Sequence, residues 1–256
     1  MSITATDTRI SLDKASPLTI ISGHYGVGKT NLSLNLAYRW LQYYPTCTLI
    51  DLDIVNPYFR SSDYSAWLAA KGIKLLGPTL AGSTLDTPAL AAGIDEAIQM
   101  ASADHPVLID VGGDPDGARA LARYQNSVSH QDYRLIYVSN FHRPEVATVE
   151  KSLQLLRAIE AQSQLKAQAI IGNDHLKEFS TVEQIIANLP LLIELCSAAE
   201  LPLLAITAPH NIAIDLEKAL ADYVDKYPEA ALLLEGLPVI AMRKMVATSW
   251  EEHELD

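Results

Sequence analysis

Residues 21–30 read I-S-G-H-Y-G-V-G-K-T, an apolar run that breaks into glycines and ends in Gly-Lys-Thr. Gly23, Gly28, Lys29 and Thr30 meet the spacing GxxxxGK(S/T), with a strand-like stretch before them and a helix-compatible segment after them. Such a turn needs a buried strand to launch it and a helix N-terminus to receive it. Glycines let the backbone amides turn inward, and the helix start adds the positive end of its dipole. The ligand implied is a phosphate chain. Gly23, His24, Tyr25, Gly26, Val27, Gly28, Lys29, Thr30 and Asn31 are therefore the candidate nucleotide-binding segment. Lys29 would reach the β- and γ-phosphates in binding and in catalysis, and the Thr30 hydroxyl would ligate Mg2+.

The rest of the chain supplies the matching scaffold. Continuous apolar runs at 18–22, 47–52, 73–77, 106–111, 134–140, 167–173 and 201–207 read as strands buried on both faces. Helical stripes lie between them: Leu32, Leu36, Trp40 and Leu41 on one segment, Val146, Val149, Leu153, Leu156 and Ile159 on another. This alternation predicts a doubly wound, mainly parallel α/β sheet flanked by helices. No Pro/Gly/Ser-rich linker interrupts it. The expected organisation is a flexible N-terminal segment over 1–17, one nucleotide-binding domain over 18–245 and an acidic tail over 246–256.

Charge and composition narrow the function classes. The net charge of −12 disfavours broad contact with nucleic acid or an anionic membrane. Cys47 and Cys196 form no CxxC pair, so they suggest a reducing, cytoplasmic setting and no metal site. No apolar run of membrane-spanning length is expected.

Phosphoryl chemistry needs carboxylates near the γ-phosphate. The run L-I-D-L-D brings Asp51 and Asp53 to the end of the second strand, and V-L-I-D-V-G-G-D brings Asp110 to the end of a later one. Ligands of open α/β sheets sit at the carboxyl ends of strands, so these acids should face the loop. Asp110 suits a Mg2+-holding role, and the Gly113 amide behind it could sense the γ-phosphate. The bland alternatives are a turn or cap for Asp110 and a loop carboxylate for Asp53.

Together, GHYGVGKTNLSLNLA, LIDLDIVNPYFRSSD and the D-x-G-G turn resemble the MinD/ParA class of P-loop ATPases, in particular its CobQ/MinD-like nucleotide-binding branch, over roughly residues 18–210. The resemblance implies ATP and Mg2+ as cofactors. It implies that Asp53 orients the attacking water and that Asp51 lies near the Mg2+ shell. That class carries a KGGxGK(S/T) lysine that crosses a dimer interface to the partner's phosphates. His24 stands at that position here, and Tyr25 replaces the next glycine. A nucleotide-dependent homodimer is therefore possible but lacks its signature residue.

By the same resemblance, Asn173 would bond the adenine amine and Pro209 would wall the base. As local features they read equally as a helix cap and a helix stop. No NKxD guanine motif is present, although Asp174 adjoins Asn173. Asn56 and Arg60 in N-P-Y-F-R are switch candidates, with Tyr58 and Phe59 as packing residues. The leading expectation is a slow ATPase that acts as a nucleotide-driven switch or delivery factor for a protein partner. The alternative is an ATP-dependent enzyme resembling dethiobiotin synthetase or cobyrinate amidase. It would take a small acidic substrate through Arg119, Arg123, His142 or Arg143. A third reading is a binding module that does not hydrolyse its nucleotide.

Overall fold

The computed structural model describes residues 15–53, 62–77, 87–113, 115–174 and 179–246. Its strands are β1 (Leu18–Gly23), β2 (Cys47–Asp51), β3 (Ile73–Leu76), β4 (Val107–Asp110), β5 (Tyr133–Ser139), β6 (Ala167–Gly172), β7 (Leu203–Pro209) and β8 (Val239–Met242). They form one eight-stranded sheet in the order β3-β2-β4-β1-β5-β6-β7-β8. Every pairing is parallel. The chain winds from β1 toward β3 on one side and from β5 toward β8 on the other. β1 therefore marks the switch point, where ligands of such sheets collect.

The seven expected strands are all present; β8 was not foreseen. Only four residues long, it follows the Gly236 turn and precedes a mixed basic and apolar segment, so its periodicity is too short to read. After β8 the chain returns to the first helix, α1 (Lys29–Trp40). The Asn31 and Asn35 side chains donate to the Arg243 carbonyl at 3.0 and 2.9 Å. The Arg243 and Met245 amides in turn donate to Asn35 and Asn31 at 2.9 and 2.8 Å.

Alternate residues of each strand feed two cores, one on each face. Ile20, Ile50, Ile109 and Tyr137 enter one, while Ile21, Leu49, Leu108 and Ile136 enter the other. Helix α1 covers the second face with Leu32, Leu36 and Trp40, all buried as their spacing predicts. The further helices are α2 (Ser62–Lys71), α3 (Thr87–Gln99), α4 (Pro115–Ala122), α5 (Gln125–Ser129), α6 (Val149–Ser163), α7 (Val182–Ala187), α8 (Leu189–Ala199), α9 (Ala213–Lys226) and α10 (Ala231–Leu234). Helix α6 buries Val149, Leu156 and Ile159 on the first face.

One expectation needs correction. Residues 182–199 reach a mean hydropathy of 1.4, so one stretch is long and apolar enough, by length and composition alone, to cross a membrane. In the fold it is two helices, α7 and α8, which meet at Asn188 ahead of Pro190. The expected N-terminal segment lies outside the described residues up to 14. Ser16 Oγ donates to Asp132 O at 3.1 Å, and Pro17 O accepts from Val107 N. Most of the expected tail, 247–256, also lies outside them.

Candidate functional site

The phosphate loop joins β1 to α1. Gly28 caps the helix at φ 89°, ψ 20°, and Gly26 has φ 72°, both in the left-handed region that favours glycine. A Cβ on Gly28 would also come within 2.5 Å of the Asn173 amide. No acidic residue occupies the first turn of α1, so the helix itself carries nothing that offsets its positive N-terminal dipole. Lys29 is buried and its Nζ donates to His24 O at 3.0 Å, folding its charge back over the loop. His24 is half-buried, and its Nδ1 lies 2.8 Å from Tyr25 O, where the protonated tautomer of that nitrogen donates. The Tyr25 side chain is exposed.

The strand-end acids converge behind this loop. Asp51 and Asp110 are register partners at the last positions of β2 and β4, and Ile21 of β1 is the partner of Asp110 on the other side. Both carboxylates are sealed from solvent. Neither oxygen of Asp110 has a hydrogen-bond partner, and neither does Asp51 Oδ2. Asp51 Oδ1 accepts from Asp53 N at 2.8 Å. Burial pushes Asp110 up to about 6, against the opposing pull of the Lys29 charge and the nearby Thr30 and Ser33 hydroxyls. Those hydroxyls act on the acid's titration, but neither completes a hydrogen bond with it. The geometry leaves the carboxylate partnerless. Burial and the Asp110 charge push Asp51 up to about 8.

Orphaned, buried carboxylate oxygens beside a phosphate loop fit a hard divalent cation. The donors available are all oxygens: Asp110, the Thr30 hydroxyl, and Asp51 and Asp53. Among the described residues no group of three or more His, Cys, Asp or Glu side chains could hold a metal alone. A Mg2+ here would thus take much of its shell from phosphate and water.

Other expected residues fall into place around the loop with different jobs. Gly113 packs directly on the backbone of His24 and Tyr25, so closely that any Cβ would collide. The D-x-G-G turn therefore touches the loop. Asn173 is fully buried: its Nδ2 donates to Val27 O at 2.5 Å and its Oδ1 accepts from Thr207 Oγ1. In this arrangement Asn173 braces the loop against β7. Asp174 is also buried; its Oδ1 accepts from Phe141 N. The Asn31 side chain is committed to residues 243 and 245, which leaves only its backbone for a phosphate. Pro209, half-buried, ends β7 opposite Met242. Asn56, Tyr58, Phe59 and Arg60 lie outside the described residues.

Arg119 and Arg123 are exposed, on and just beyond α4. His142 lies beside Asn188, whose Nδ2 is 3.4 Å from its Nε2. Arg143 instead reaches the phosphate loop. Its Cζ and Nε are each 3.5 Å from the position a Cβ would take on Gly26. The sequence marks it only as an arginine after a strand; nothing local shows which loop it reaches.

No described protein family matches this chain, and no curated protein matches it. Solved structures do. Chloroplast FtsY of Physcomitrella patens is 15% identical with a TM-score of 0.51, over 78% of this chain and 61% of that one. Cell division protein FtsY of Thermotoga maritima is 14% identical with a TM-score of 0.51, over 80% and 66%. The 54 kDa signal recognition particle protein of Aeropyrum pernix K1, in complex with GDP, is 15% identical with a TM-score of 0.50, over 85% and 53%. This chain thus spans about three-fifths of these structures. The likeness is one of fold, that of the P-loop NTPases. The proteins matched are FtsY and signal recognition particle proteins, so the resemblance to the MinD/ParA class rests on this chain's motifs alone.

Proposed function

We propose that this chain binds a magnesium nucleoside triphosphate, ATP by its motifs, and hydrolyses it slowly as a switch acting on a protein partner. The observation that carries the reading is the buried, partnerless Asp110 carboxylate directly behind Lys29 and Thr30. The loop amides and Lys29 hold the β- and γ-phosphates. Thr30 and Asp110 hold Mg2+, with Asp51 behind them. When bound, the ion neutralises charge on the transferred phosphoryl group. Asp53 orients the attacking water. Gly113, in contact with His24 and Tyr25, couples the presence of the γ-phosphate to the turn after β4. Two copies are bridged through the nucleotide at His24, more weakly than a lysine would bridge them, since a histidine reaches less far.

Guanine is the second reading for the base, because the Aeropyrum protein of the same fold is in complex with GDP. Calorimetric titration with ATP and with GTP, each with Mg2+, separates the two. Lys29→Ala should abolish binding of either nucleotide while the protein stays folded. Unchanged affinity in that variant would remove the phosphate-loop reading.

A further inference from the structure

Arg143 closes a turn, residues 140–143, that follows β5 and is held from several sides. Asn140 Oδ1 accepts from His142 N at 3.0 Å, and Asn140 O accepts from Arg143 N at 3.2 Å. Phe141 is buried and its amide donates to Asp174. Asn188 Nδ2 lies 3.4 Å from His142 Nε2 and 3.5 Å from Asp174 Oδ1. Arg143 O accepts from Val146 N at 2.9 Å, which carries the turn into the segment ahead of α6. A backbone fixed at so many points fixes where the Arg143 side chain starts.

From there the side chain reaches the phosphate loop. The guanidinium lies beside Gly26, with Cζ, Nε and Nη1 at 3.5, 3.5 and 3.8 Å from its Cβ position. Gly26 itself is exposed, so this is the open side of the loop. Arg143 Nε is buried and has no hydrogen-bond partner. Among the described residues no carboxylate pairs with the guanidinium. A buried donor on a permanent cation costs free energy unless an acceptor arrives. The position beside the loop selects an anion as that acceptor.

We propose that Arg143 is a further phosphate-contacting residue, acting within one chain on the terminal phosphoryl group of the bound nucleotide. The inference rests on the nucleotide reading above and deepens it. A guanidinium stays charged and offers a planar pair of donors, which suits phosphoryl oxygens. His24 occupies the position where the resembling class places its lysine, and Arg143 brings a permanent charge to the same loop from β5. The charge is intramolecular, so it needs no second copy.

The test compares Arg143→Ala and Arg143→Lys with the unaltered chain, by calorimetry with the Mg2+ complexes of ATP, GTP, ADP, GDP and the non-hydrolysable triphosphate analogues. Arg143→Ala should lose ~10- to 100-fold in triphosphate-analogue affinity, the range of one charge-assisted hydrogen bond, and far less in diphosphate affinity. Guanidinium ion at millimolar concentration should restore part of the loss, and Arg143→Lys should not. Equal losses for di- and triphosphate without guanidinium rescue would make Arg143 a prop for the loop and overturn the proposal. So would a triphosphate affinity equal to that of the unaltered chain. If the unaltered chain binds no nucleotide, the site reading itself fails, an outcome distinct from both.

Discussion

Asp51 and Asp110 face each other as register partners across the β2–β4 ladder, and three of their four carboxylate oxygens have no hydrogen-bond partner. Burial is the main reason that both lie above the ordinary carboxylate range, with the Asp110 charge adding to the rise at Asp51 and the Asp53 charge to that at Asp110. Such a pair destabilises the ligand-free chain when it is ionised. Asp110→Asn should therefore raise the melting temperature of the nucleotide-free protein at pH 8, by a few degrees if the relief is ~1 kcal/mol. The gain should shrink at pH 5, below the value of about 6 to which Asp110 is raised, because the carboxyl is then already neutral. The same variant should lose the Mg2+ dependence of nucleotide binding. A lower melting temperature at pH 8 would mean that the carboxylate is structurally satisfied.

Asp53 is buried, and its amide is tied to Asp51. The position is thereby fixed relative to the strand-end acids. If its carboxylate orients water, Asp53→Ala should bind nucleotide as the unaltered chain does and release phosphate ~100-fold more slowly or worse. Single-turnover phosphate release measures this. An unchanged rate would return Asp53 to the role of a loop carboxylate.

Asn173 separates two roles cleanly. It bonds the loop at Val27 and β7 at Thr207, so Asn173→Ala should weaken ATP and GTP alike, by ~10-fold for a charged ligand held by a loosened loop. A base-reading residue would instead change the ratio of the two affinities. Competition between the nucleotides at one protein concentration reads that ratio directly.

These residues also show what the sequence could carry. The strands were legible because each is a continuous apolar run buried on both faces, and the loop was legible because its spacing dictates its geometry. Asp51 and Asp110 could be placed at strand ends for the same reason. What could not be read were contacts made far along the chain. Asn173 reaches Val27 across 146 positions, and Asn31 reaches Met245 across 214. Arg143 sits beside Gly26 only because β5 lies next to β1. Strand β8 was missed because four residues give too little periodicity to distinguish from loop.

Asp174 supplies a pH dependence that bears on this geometry. Burial pushes it up to about 7, while the Phe141 amide and Asn188 pull the other way. An acid whose value is raised on folding binds more protons folded than unfolded. Its stabilising contribution is complete below about 4, the unfolded range, and is lost as pH rises through about 7. Each pH unit within that window removes at most ~1.4 kcal/mol. Asp174→Asn keeps an oxygen that accepts from Phe141 and removes the titration. Urea midpoints of the two proteins should therefore lie close together at pH 5 and separate toward pH 8, where the asparagine variant is the more stable. Asp51 and Asp110 titrate in both proteins, so their contribution cancels in the difference. Parallel curves across this range would show that Asp174 stays ionised throughout, held by the amide of the turn that carries Arg143.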